Sequence, residues 1–249
     1  MILFLLTIIV VLSYVLVHAL EISSFAARVA GRISNRNALG TTISQTVYTT
    51  SNIALILFLP SLAYLVESGI DINYYLSLVI AAYFFSFLAS TIMLIKLSSI
   101  QQFFQMIFIK YNKSSLPVAI LKSLINKNKN LKLKDCEGFT IDKIVLKKTS
   151  VSFVAYIFLI TGFFNAFMLA VLFPENRLTL SQFTTIFHGI GALLFAFYID
   201  PMLSRSIDTY SDDISWLKNV YSILIGRMMS YLAMIIILSI LMVILNFYG

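Results

Sequence analysis

Six apolar stretches punctuate this chain, each close to the roughly 20 residues a helix needs to cross the hydrocarbon of a bilayer. They run over about 1–20, 43–66, 72–95, 151–173, 178–199 and 220–247. A soluble domain of this length has no use for so much apolar surface: 59% of residues are hydrophobic and only 12% charged, with a mean hydropathy of +0.92. In lipid, backbone N–H and C=O groups have no water to bond, so spans of this kind are helices. The pattern therefore predicts an all-α polytopic membrane protein, one integral membrane domain over 1–249 with six transmembrane helices. The first stretch, MILFLLTIIVVLSYVLV, has no basic leader and no A-x-A site after it, and is read as a first span rather than a cleaved signal.

Loop charge orients the spans. The short connections ESGID and PENR make antiparallel hairpins of spans two–three and four–five. Loop one carries Glu21 against Arg28, Arg32 and Arg36. Loop three, about 96–150, carries eleven lysines between Lys96 and Lys148 against Asp135, Glu137 and Asp142. Loop five, with Arg205, Lys218 and several aspartates, is nearly neutral. Placing the basic loops in the cytoplasm puts both termini outside. The first part of loop three, LSSIQQFFQMIFIKYNKSSLPVAILKSLI, mixes apolar and polar residues around Pro117 and predicts interfacial helices. The second part, NKNKNLKLKDCEGFTIDKIVLKK, reads as a solvated basic connector whose lysines favour anionic lipid headgroups. A three-plus-three division at this loop rests on span count alone.

Several functions are disfavoured at this level. The net charge of +7 is gathered in loops as topology demands, so no nucleic-acid partner is expected. One cysteine, Cys136, allows no disulfide framework or CxxC site, and two distant histidines make a metal centre unexpected. DTYSDD, Asp208 to Asp213, superficially resembles a magnesium cluster, but acidic residues before a helix equally favour its N-terminus. No cofactor or nucleotide motif is evident, and nothing fixes an oligomeric state.

Charge placement within the spans is more informative. Continued as a helix, the first span sets His18, Glu21, Arg28, Arg32 and Arg36 within about a quarter-turn arc. Phe25 lies on the same stripe, and Ala26, Ala27, Ala30 and Gly31 beside it would allow close helix packing. Arginines at a helix end also serve as topology signals and headgroup anchors, and Glu21 could simply neutralise one of them. Asp200 ends the fifth span, where Pro201 can start a new turn. Arg227 lies inside the sixth span, about two turns from its start, where a guanidinium needs an acidic partner, a hydrated cavity or a phosphate. Pairing with Asp200 or Glu21 is the structural alternative; the guanidinium fork equally suits phosphate oxygens. Gln45, Ser51, Asn52, Asn165 and His188 could hydrogen-bond between helices or line a hydrophilic path.

HALEISSFAARVAGRISNR, the TTSN of helix two, YIDPMLSRSIDTY and GRMMSYLA together resemble the Amj family, the alternate lipid II flippases of bacteria. The family traits correspond here to His18, Glu21, Arg28 with AGR, Asp200-Pro201 and Gly226-Arg227. Thr49 departs from the basic residue expected before TSN, and the glycine precedes Arg227 rather than following it. The resemblance covers most of the chain and is poor in loop three. It implies a multi-pass protein of the bacterial cytoplasmic membrane that moves an undecaprenyl-pyrophosphate-linked disaccharide peptide from inner to outer leaflet. The expected substrate-binding set is Arg28, Arg32 and Arg227 for the pyrophosphate, Glu21 and Asp200 as their counter-charges, and His18 and Asn52 beside them. Two rivals stand: a membrane-embedded phosphatase or phosphotransferase acting on polyprenyl phosphates, with His18 and Glu21 as an acid–base pair, and a non-catalytic protein whose basic face binds anionic lipid.

Overall fold

The computed structural model describes residues 2–125, 133–136, 138–140, 142, 144–210 and 212–248. Lys127, Lys129, Lys132, Lys143 and Glu137 of the basic connector lie outside the described residues. Among the described residues there is no strand. Six helical segments are long and apolar enough to cross a membrane. These are α1 (Ile2–Ile33), α2 (Asn37–Glu67), α3 (Ile72–Ile95), α6 (Leu146–Leu172), a composite fifth segment (Pro174–Thr209) and α10 (Asp213–Tyr248). Two short helices, α4 (Leu97–Tyr111) and α5 (Leu116–Ile125), occupy the long third loop. Val118, Leu121, Leu124 and Ile125 of α5 are exposed, the apolar face an interfacial helix requires.

The first helix is longer than its apolar run. At 1.5 Å per residue, α1 extends about 48 Å, well beyond a hydrocarbon core of about 30 Å. Its first half exposes Ile2, Phe4, Leu5, Ile8, Leu12 and Leu16, whereas most of Val17–Ile33 is buried. The buried half is covered by α2, by α4 through Phe104, Ile107 and Phe108, and by the start of α10 through Trp216, Leu217 and Val220. His18 and Glu21 consequently lie near the middle of a continuous helix, not at its end.

Arg36 departs from the predicted stripe. The helix stops at Ile33, and Asn35 takes a left-handed φ of 55°, which an asparagine tolerates. The chain then reverses into α2. A Cβ built on Gly31 would lie 2.6 Å from the Gly40 Cα, so only glycine at both positions lets the two backbones touch. The Arg36 guanidinium turns away to donate to Phe108 O (3.2 Å) and Asn112 Oδ1 (3.1 Å) at the end of α4.

α6 is a central post. Tyr14 of α1 and Tyr75 of α3 donate to its Ile160 and Phe164 carbonyls, at 2.8 and 2.6 Å. On another side Ser152 donates to Ile223 O of α10 and Ser230 of α10 donates to Phe153 O, both at 2.9 Å. A Cβ on Gly226 would fall 2.5 Å from Thr149 O, so this glycine sets the α6–α10 approach. Gly162 and Gly191 do the same between α6 and α8 (Thr184–Leu194).

The fifth segment is built from a short 3-10 turn (Pro174–Asn176), α7 (Arg177–Gln182), α8, a π-helical stretch (Phe195–Ile199) and α9 (Asp200–Thr209). The span runs past the 199 boundary read from hydropathy, and Pro201 opens a new helical turn there, as the sequence allowed. Pro201 has no N–H to offer the Phe197 carbonyl, and the wider π turn just before it accommodates that loss, so the helix runs on to Thr209. The sixth helix likewise begins at Asp213, placing Arg227 about four turns in rather than two.

Candidate anion site between two apolar cores

The buried apolar side chains form two clusters. One gathers around Ile22–Ile33, α4 and Trp216–Leu224; the other around Tyr14, Phe58, Tyr83, Phe164 and Tyr231. Arg227 sits at the joint between them and is only 1% exposed. A buried guanidinium must be paired and hydrogen-bonded to be tolerated, and this one has both an acidic partner and further polar and aromatic contacts. Its Nη2 meets the Glu21 carboxylate and His18 Nδ1. Its Nε donates to Tyr231 Oη at 3.1 Å, and its Cζ lies 4.8 Å from the Tyr156 ring centre. The planar cation thus stacks on one aromatic face while its edge is bonded.

His18 is buried beneath this pair. Its Nδ1 lies 3.1 Å from Glu21 Oε2, its ring packs edge-on against Tyr14 at 4.2 Å, and its Nε2 has no partner among the described residues. A neutral imidazole accepts at Nδ1 from Arg227; a protonated one would donate there to Glu21 and repel the guanidinium.

A second pair lies along the same wall. Arg28 Nη2 donates to Asp200 Oδ1 at 2.7 Å and its Nε to Ser44 Oγ at 3.2 Å, so this residue ties α1 to α2 and to the start of α9. The Asp200 side chain remains 38% exposed. Arg28, Asp200, Glu21 and Arg227 all border one cavity of about 270 Å³. Ser24, Phe25, Ser44, Gln45, Tyr48, Tyr156, Leu159 and a wall of Ala192, Phe195 and Ala196 complete it.

Four of the seven sequence candidates therefore meet at this cavity: Glu21, Arg28, Asp200 and Arg227. His18 supports them from behind. Arg32 is placed elsewhere: its guanidinium donates to Asp213 Oδ1 (2.9 Å), Ile207 O (3.0 Å) and Tyr210 O (2.6 Å), fastening α1 to the α9–α10 turn. One turn beyond Arg28, the α1 stripe faces the α9–α10 turn and no longer the cavity. Asn52 lies on the outward face of α2, beyond the cavity lining. His188 stacks on Phe163 at 4.5 Å, with Nδ1 3.4 Å from Leu159 O. In DTYSDD, Asp213 binds Arg32, and Asp212 accepts the Ser215 N–H at 2.8 Å at the start of α10. No cluster of potential metal ligands occurs among the described residues.

The sequence reading missed Tyr156 and Tyr231, the aromatic and hydroxyl partners of the guanidinium. Tyr231 had a signal, its spacing of four from Arg227, which puts both on one helix face. Tyr156, on another helix, had none.

No curated protein and no solved structure matches the chain. The family model for Amj, described as Alternate to MurJ, matches residues 13–244, nearly the whole of it. The chain belongs to the Amj family.

Proposed function

We propose that this protein is a lipid II flippase of the bacterial cytoplasmic membrane, carrying undecaprenyl-pyrophosphate-linked peptidoglycan precursor from inner to outer leaflet. The cavity bordered by Arg28 and Arg227 receives the pyrophosphate. The basic end of the bundle faces the cytoplasm and both termini face outward, in keeping with loop charge. The observation that carries the reading is the shared cavity of two arginines, each held by its own carboxylate, inside a helix bundle of a family described as an alternate to MurJ.

The arrangement suits a carrier. Two guanidinium groups and two carboxylates sum to zero charge, a state a low-dielectric interior tolerates when empty. An incoming pyrophosphate offers several oxygens to the same forks and can displace Glu21 and Asp200, which are the partially open partners at 14% and 38% exposure. When the substrate leaves, the carboxylates close again on the arginines. Binding is thereby exchange of one anion for another, which avoids ever exposing a bare guanidinium to hydrocarbon. Arg32 acts as a structural tie, and His18 as a support for the Arg227–Glu21 pair. His18 does not line the cavity, which weighs against a His18–Glu21 acid–base pair acting on substrate.

The test is rescue of cells depleted of their principal lipid II flippase, scored by precursor exposed on the outer leaflet. The intact protein restores exposure. Arg28→Gln, at unchanged protein level, does not. Rescue by Arg28→Gln and Arg227→Gln equal to that of the intact chain refutes the reading.

A further inference from the structure

A spanning helix turns apolar residues toward lipid, but half of α2 does not. Thr42, Gln45, Thr46, Thr49, Thr50 and Asn52 are all exposed, from near the start of the helix to its midpoint. Beyond that, Ile53, Ile56 and Leu57 restore an apolar face. Three of the threonines conceal their protons in the usual way. Thr42, Thr46 and Thr50 donate to the carbonyls of Ala38, Thr42 and Thr46, at 3.0, 3.0 and 2.8 Å. Gln45, Thr49 and Asn52 do not, and none of their side chains has a hydrogen-bond partner among the described residues. Their spacing of four and three sets them on one face, spanning about 10 Å of helix. Gln45 is also a wall of the arginine cavity, so the polar row starts inside the candidate site and ends at mid-helix.

The opposite wall matches in shape. Gly189, Ala192 and Ala196 share one face of the fifth segment, and a Cβ built on Gly189 would meet nothing within 4 Å. α2 packs extensively on α1 and only lightly on α6, and makes no comparable contact with α8. The two walls are joined across the mouth by one aromatic pair: Tyr48 of α2 stacks on Phe195, ring centres 6.5 Å apart and 15° from parallel. Phe195 opens the π-helical stretch, a geometry frequent at functional sites because its loose turn can change register.

We propose that the slot between α2 and α8 is the lateral portal through which the phosphate–sugar headgroup of a polyprenyl lipid leaves the cavity for mid-membrane, with Gln45, Thr49 and Asn52 as its hydrogen-bonding rail and Tyr48–Phe195 as its lip. This rests on the flippase reading above. The chemistry favours a sugar-bearing phosphate headgroup over a bare anion. Two amides and a hydroxyl offer donors and acceptors together, matching sugar hydroxyls as well as phosphate oxygens. They carry no charge, so they hold a passing group weakly enough to release it, as a conducting path must. The tail stays in the lipid outside the slot, against the exposed Ile53, Ile56 and Leu57.

The experiment compares the intact chain with the double variant Thr49→Val, Asn52→Leu, which leaves the cavity wall at Gln45 unchanged. Both are reconstituted in phosphatidylethanolamine–phosphatidylglycerol vesicles and assayed for translocation of fluorescent lipid II. A binding arm uses undecaprenyl pyrophosphate in detergent. Each lost hydrogen bond slows passage about 2- to 10-fold, so the double variant flips at least about fourfold more slowly. It still binds undecaprenyl pyrophosphate within about threefold, because the cavity lining is untouched, and it melts no lower, because Thr49 and Asn52 are exposed and their side chains bond to no described residue. Thr49→Ser with Asn52→Gln retains transport. If the intact protein flips no lipid II, the flippase reading itself fails. If the intact protein flips and the double variant keeps pace, the portal is refuted. If the double variant instead shifts from oligomer to monomer by native mass spectrometry, the row is a contact between copies of the chain and the portal is likewise refuted.

Discussion

Replacing Arg227 alone should cost more than replacing it together with Glu21. The guanidinium is 1% exposed and bonded to Glu21, so Arg227→Met leaves a largely buried carboxylate without its cation. Breaking one side of a buried pair costs about 3–5 kcal/mol. Glu21 keeps 14% of its side chain open to the cavity, where water can enter, so the lower end of about 3 kcal/mol applies. At about 2–4 °C per kcal/mol for a chain of this size, the melting temperature falls by about 6–12 °C. Glu21→Gln added to Arg227→Met removes the stranded charge, and an uncharged pair of similar volume is often neutral or better. The double variant therefore melts above Arg227→Met alone while remaining inactive in rescue. Thermal unfolding of purified protein, followed by size-exclusion fluorescence, reads both. A double variant that melts below Arg227→Met, with the two losses simply adding, would show that the residues are not coupled and that the site is wrongly drawn.

Three further outcomes are expected. Gly31→Ala drives a methyl into the Gly40 backbone and destabilises the α1–α2 hairpin by about 1–3 kcal/mol; thermal unfolding checks this, and an unchanged midpoint contradicts the contact. The exchange Arg28→Asp with Asp200→Arg recovers stability lost in either single variant, yet does not restore lipid II exposure, since the guanidinium moves away from Ser44 and the α1 wall. Asp212 lies outside the spans, and the Ser215 N–H it accepts holds its carboxyl below the ordinary 3.8. A depressed pKa means the contribution is present above that pH and lost as acid protonates the folded form. Hydrogen exchange at the Ser215 amide, corrected for intrinsic rate, therefore quickens only as the pH falls below the ordinary 3.8, and Asp212→Asn removes the dependence.

The architecture was legible because it depends on composition over windows of about 20 residues. Span boundaries were less so. α1 and α10 extend beyond the spans read from hydropathy, through residues 21–33 and 213–219, since tertiary cover stabilises helix where hydropathy alone signals loop. The π turn before Pro201 was invisible for a similar reason: a proline after a span reads as the start of a new turn, and nothing local says that the turns on either side of it join into one helical path.

By itself the sequence determined that there would be six spans, a basic end, and buried charges in need of partners, because a bilayer punishes every unsatisfied charge and peptide group. Which charges meet was decided only in three dimensions. His18, Glu21, Arg28 and Arg32 share one stripe of α1, yet two of these four reach the cavity, one lies behind it and one fastens a distant turn. Periodicity assigns a residue to a helix face, but the partner facing it comes from another helix some 170–200 residues away, whose rotation and depth are set by glycine contacts and packing.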